Sequence, residues 1–119
     1  MLYTNLKHIE NHEEYLKAIH GHKNVMIICG RMDPESIQVY AAAEALAADC
    51  CHISMYDIEA DSPYTQFLQN IPEVKNLSGI PFIVCFKNGN VVSVSRNKSS
   101  KAQITELLDN AFGLQLIQR

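Results

Sequence analysis

Short unbroken apolar runs alternate along this chain with stretches of helical spacing. Asn24-Val25-Met26-Ile27-Ile28-Cys29 and Phe82-Ile83-Val84-Cys85-Phe86 are such runs. Brief apolar segments rich in β-branched residues belong to strands covered on both faces, so the first is expected at the centre of a parallel sheet. The second is reached through Gly79-Ile80-Pro81 and left through Lys87-Asn88-Gly89-Asn90, beyond which Val91, Val92 and Val94 continue. A proline restricts the backbone before the strand and an Asn-Gly pair turns it afterwards, which predicts a β-hairpin.

Elsewhere the period changes to that of helices. Leu2, Leu6 and Ile9 suit a short edge strand. Asn11 with Glu14 three residues on predicts a capped helix with Tyr15, Leu16 and Ile19 as its stripe and Gly21 near its end. Asp33-Pro34-Glu35 places a capping carboxylate, a first-turn proline and an acid in the order a helix start requires. Ile37, Tyr40, Ala41, Ala43, Ala45, Leu46 and Ala47 are then expected to pack on a sheet. Cys50 to Ile58 reads as the strand returning parallel by a right-handed crossover. Ser62-Pro63 opens a short helix through Tyr64, Phe67 and Leu68 that Pro72 should stop, with a further turn over Glu73 to Leu77. Ser100 with Gln103 forms a capping-box pattern before Ile104, Leu107, Leu108, Ala111 and Phe112, and Gly113 suits the stop. The predicted order is βαβαβαββα, an α/β fold with a central mixed sheet flanked by helices.

Composition narrows the function classes. With 119 residues, 47% hydrophobic and 19% charged, the chain is expected to form one domain over 1–119, with a short apolar tail at 114–119. A net charge of −3 without Lys/Arg clusters gives no footprint for nucleic acid or an anionic membrane surface. No run of about 18 apolar residues is present for a membrane span, and no secretion signal is evident at the start, so a cytoplasmic location is expected. The four cysteines, Cys29, Cys50, Cys51 and Cys85, lack Cys-x-x-Cys spacing and are expected to remain thiols.

Gly79-Ile80-Pro81-Phe82-Ile83-Val84-Cys85-Phe86-Lys87-Asn88-Gly89 resembles the proline loop, buried strand and turn of the thioredoxin family, and the element order extends that resemblance over nearly the whole chain. The resemblance implies a thioredoxin-like fold, a cis peptide bond before Pro81, Val25 to Cys29 as the central strand, and the helix from Asp33 as the one that carries the redox site. It also implies a shallow groove for extended polypeptide, partly through backbone hydrogen bonds, at Met32, Asp33, Ser36, Ile80 and Pro81.

The chemistry of that family does not follow the fold here. Thioredoxin chemistry needs two thiols two residues apart at the helix start, the first activated by the helix N-terminus and the second resolving the mixed disulfide. Asp33-Pro34-Glu35-Ser36 stands in those positions, and Ile27 takes the place of the family's buried acid. The resemblance therefore implies a protein- or peptide-binding, chaperone-like module without redox turnover and without a cofactor. The alternative is a monothiol oxidoreductase using Cys29, which requires aligning Cys29-Gly30-Arg31-Met32 with the family's Cys-Gly-Pro-Cys. His20-Gly21-His22 has spacing for two metal ligands, but no further ligand pattern accompanies it. Cys50-Cys51 and the adjacent His52 are expected to be structural, because neighbouring strand side chains point to opposite faces.

Overall fold

The computed structural model describes residues 6–47, 52–75, 77, 79–96 and 100–113. Its elements are β1 (Lys7–His8), α1 (His12–Gly21), β2 (Asn24–Gly30), α2 (Pro34–Ala47), β3 (Ser54–Glu59), a 3₁₀ turn (Pro63–Thr65), α3 (Gln66–Gln69), α4 (Pro72–Lys75), β4 (Phe82–Lys87), β5 (Asn90–Arg96) and α5 (Lys101–Phe112). The strands form one mixed sheet in the order β1-β3-β2-β4-β5. β1 and β2 run parallel to β3, whereas β4 is antiparallel to β2 and β5 to β4.

The period of two along each strand splits the core between the sheet faces. Met26, Ile28, Met55, Ile83 and Cys85 pack with Val39, Tyr40, Ala43 and Leu46 of α2 and with Ile104, Leu107, Leu108 and Phe112 of α5. Val25, Ile27, Cys29, Ile58, Val84 and Phe86 face the opposite way, toward Tyr15, Ala18 and Ile19 of α1 and toward Leu68 and Val74. Every residue of β2 is buried, as expected of a central strand flanked on both edges and covered on both faces. Each large aliphatic or aromatic side chain removed from water in this way contributes about 1.5–3 kcal/mol.

Local signals set the ends of the elements. The Asn11 side chain accepts from the Glu14 amide at 2.8 Å, while the Glu14 carboxylate accepts from the Glu10 amide at 2.7 Å. Both arms of the capping box are formed at α5: the Gln103 amide donates to the Ser100 hydroxyl and the Ser100 amide to the Gln103 side chain. Asn88 and Gly89 both take positive φ, 54° and 83°, closing the two-residue turn of the β4–β5 hairpin.

Four expectations need correction. α2 buries Ser36, Val39, Tyr40, Ala43 and Leu46, so Ile37, Ala41, Ala45 and Ala47 lie on its outer side. An alanine-rich helix carries little polar contrast to mark its inner face, and tertiary packing chose it. β3 begins only at Ser54, with His52 and Ile53 in the turn before it. Among the described residues the edge strand is confined to Lys7 and His8. Pro72 does close the α3 segment, but it also starts α4, because proline is well tolerated in a helix's first turn. Cys50, Cys51 and the tail from Leu114 lie outside the described residues.

Candidate functional site

Sheet register gathers the site at one end of the sheet. Cys29 is paired with Phe82 on one side and with Ile58 on the other, and Gly30 with Glu59. The segment leaving β2, the turn after β3 and the proline loop before β4 therefore emerge side by side. The Ala60 amide donates to the Gly30 carbonyl at 2.9 Å, locking the first two together.

The helix side of the site is built from polar contacts. Asp33 caps α2 by accepting from the Ser36 amide at 2.8 Å, and the Ser36 hydroxyl accepts from the Arg31 amide at 3.2 Å. Hydrogen bonding from Ser36 holds the Asp33 carboxyl below its ordinary range, so it is ionised at neutral pH, where it suits the helix dipole. Gly30 permits this close seating of α2: a Cβ there would meet the Tyr40 hydroxyl at 2.7 Å and the Ser36 Oγ at 2.8 Å. Arg31 reaches across to Asp61, donating from Nε to both carboxylate oxygens at 2.9 Å and from Nη2 at 2.8 Å. That bidentate pair ties the loop before α2 to the turn after β3.

On the proline side, the Ile80–Pro81 peptide bond is cis and Gly79 has φ 83°. Arg96, at the end of β5, donates from Nη2 to the Ile80 carbonyl at 2.8 Å and brings Nη1 within 3.9 Å of the Glu35 carboxylate. Beneath Ile80 lies an open cleft of about 260 Å³ lined by Gln69, Val74, Lys75, Leu77, Gly79, Ile80 and Phe82.

The residues expected at the groove differ in exposure. Met32 is 39% exposed, Asp33 and Ile80 are half-buried, and Ser36 and Pro81 are buried. Ser36 thus serves the α2 cap and offers no side chain to an incoming segment, which corrects its assignment as a contact residue. Ile37, assigned to the core from sequence, is 43% exposed one helical turn beyond Asp33 and adds apolar surface near the start of α2. The Arg31–Asp61 and Arg96–Ile80 contacts span separations of 30 and 16 residues, so no local sequence signal points to them.

Cys29 has no exposed surface and lies on the sheet face opposite α2. Burial pushes its thiol up to about 12; the Arg31 charge pulls the other way and Asp61 opposes Arg31. Cys85 is likewise buried, with its thiol pushed up to about 12. His20, in the last turn of α1, and His22 are both exposed, as is His52. Among the described residues no group of three His, Cys, Asp or Glu side chains is placed to hold a metal ion. Among those residues, too, no helix is long and apolar enough to cross a membrane.

No protein-family model matches the chain. No curated protein matches it in sequence. Solved structures do match it in shape. A mutant thioredoxin from Halobacterium salinarum NRC-1 superposes with a TM-score of 0.75 at 15% identity, covering 93% of this chain and 96% of that one. Plasmodium falciparum thioredoxin gives 0.73 at 13% identity, with coverages of 88% and 98%. Mitochondrial thioredoxin 3 from Saccharomyces cerevisiae gives 0.74 at 9%, with coverages of 88% and 94%. Identities this low speak for the fold and not for the chemistry. The chain is a thioredoxin-fold protein that carries Asp33-Pro34-Glu35-Ser36, and no Cys-x-x-Cys pair, at the start of its second helix.

Proposed function

We propose that this protein is a protein- or peptide-binding module that has given up thiol–disulfide exchange, needs no cofactor, and works in the reducing environment of the cytoplasm. The burial of Cys29 carries the proposal. With its thiol pushed up to about 12, this cysteine holds almost no thiolate at neutral pH and presents no sulfur to a substrate.

Open apolar surface supports the binding half of the reading. Met32 and Ile37 flank the α2 start, and the cleft beneath Ile80 has room for a side chain. The fit is to an extended segment with spaced apolar side chains.

Two measurements test this. With dithiothreitol and insulin, the protein should not accelerate reduction above background, and turnover approaching that of a dithiol thioredoxin overturns the reading. Affinity capture with the wild type and with Ile80→Asp should lose the same partner from the variant; identical capture argues that the groove is unused.

The monothiol reading rests on Arg31, whose charge acts to lower the Cys29 thiol against the effect of burial. It requires native Cys29 to alkylate with an apparent pKa clearly below the ordinary value of about 8.5, and a value near 8.5 counts against it. A thiol that stays protected until the protein unfolds removes that alternative.

A further inference from the structure

The two edges of the sheet are unlike. At one, β1 is two residues long and carries Lys7, so it is short and charged in the way natural sheets blunt an edge. At the other, β5 runs for seven residues, Asn90-Val91-Val92-Ser93-Val94-Ser95-Arg96, with no charge and no proline before its last residue. Among the described residues no strand pairs with its outer side. One bulge interrupts it, where Cys85 pairs with Ser93 and Phe86 with Val91, leaving Val92 unpaired and 43% exposed. From Ser93 to Arg96 the register is regular.

We propose that this edge pairs with β5 of a second copy of the chain, antiparallel about a two-fold axis at Val94, to give one continuous sheet. The sequence is self-complementary in that arrangement: Val94 meets Val94 of the second copy, Ser93 meets Ser95 and Ser95 meets Ser93, and Arg96 falls opposite the uncharged Val92. No like charges face each other, and each face of the extended sheet keeps its character, with Val91 and Val94 on the α1 side and Ser93 and Ser95 on the α5 side. The pairing and the groove share Arg96, whose Nη2 donates to the Ile80 carbonyl, but the variants at Ser93 and Ser95 leave that residue in place, so each reading has its own test.

A single paired edge buries less than a standard interface, so the dimer should be weak and visible by light scattering and sedimentation between about 10 µM and about 1 mM. Two double variants test the register. Ser93→Lys/Ser95→Lys sets lysine opposite lysine at two places and should weaken association about tenfold or more. Ser93→Glu/Ser95→Lys sets opposite charges across the same places and should hold or tighten it. The sign is diagnostic, because the two lysines add two positive charges to a net −3 and would favour association if overall repulsion governed it. Far-UV circular dichroism checks that both variants fold. In the wild type, amide exchange at 92–95 should slow as concentration rises, a measurement that needs no variant. A protein that stays monomeric over the whole range overturns the proposal, as does a dimer that both variants affect alike or one that leaves β5 exchange unchanged.

Discussion

The two arms that meet at this end of the sheet are made differently. The proline arm, Gly79 to Lys87, continues into β4, whose residues Phe82 to Phe86 are buried among the apolar side chains of both sheet faces. The helix arm, Gly30 to Ser36, is held by the Asp33 cap, the Ser36 hydroxyl and the Arg31–Asp61 pair. The proline arm is fastened chiefly by the hydrophobic effect, which is large and does not titrate, with one polar tie from Arg96 to the Ile80 carbonyl. The helix arm is fastened by polar contacts that are individually small and titratable. On the helix arm, Asp33 and Ser36 are engaged in capping contacts.

Breaking the proline arm should cost most. Phe86 is 1% exposed, and Phe86→Ala is expected to destabilise the protein by about 3–5 kcal/mol in denaturant titration. A loss below about 1 kcal/mol would show that β4 is not the anchor described above.

On the helix arm the largest effect should come from crowding. Gly30→Val pushes a branched side chain toward the Tyr40 and Ser36 oxygens and should cost about 1–3 kcal/mol, with α2 amides exchanging faster. If α2 protection were unchanged, the close seating of the helix would not depend on Gly30.

The cap comes next. Asp33→Ala should cost about 1 kcal/mol at neutral pH. Because the folded-state carboxyl lies below its unfolded value, its contribution is present above the unfolded pKa and fades as pH falls through the folded one. Wild type and variant should therefore converge in stability on acidification; a difference that persists in acid would assign the effect to something other than ionisation.

The smallest effect should be that of Arg31→Ala, whose ion pair with Asp61 is about half exposed on both sides. A small loss is expected, shrinking as salt is added, and thermal melts at low and high ionic strength read it directly.

Much of this architecture was legible in the chain. The apolar runs at 25–29 and 82–86 marked the buried strands, and the capping patterns at Asn11, Asp33 and Ser100 marked helix starts that the structure forms. That the segment leaving β2 and the proline loop before β4 emerge at the same end of the sheet followed from element order once the fold was recognised. Ser36 and Ile37 were read the wrong way round, one as a contact residue and the other as core. In a helix whose middle is alanine, apolar character does not report which side faces the sheet.

What the sequence determined by itself was local: where strands and helices start and stop, that the dithiol is missing, and that the proline loop precedes a fully apolar strand. These depend on backbone propensity, capping and side-chain identity, which a few adjacent residues set. Tertiary structure decided what distant residues share. It turned Ser36 inward and Ile37 outward, buried Cys29 on the face away from α2, laid Arg31 on Asp61 and Arg96 on the Ile80 carbonyl, and placed β5 last in the strand order. Each of these follows from packing and register across the sheet, where the partners lie far apart in the chain and no local pattern encodes their meeting.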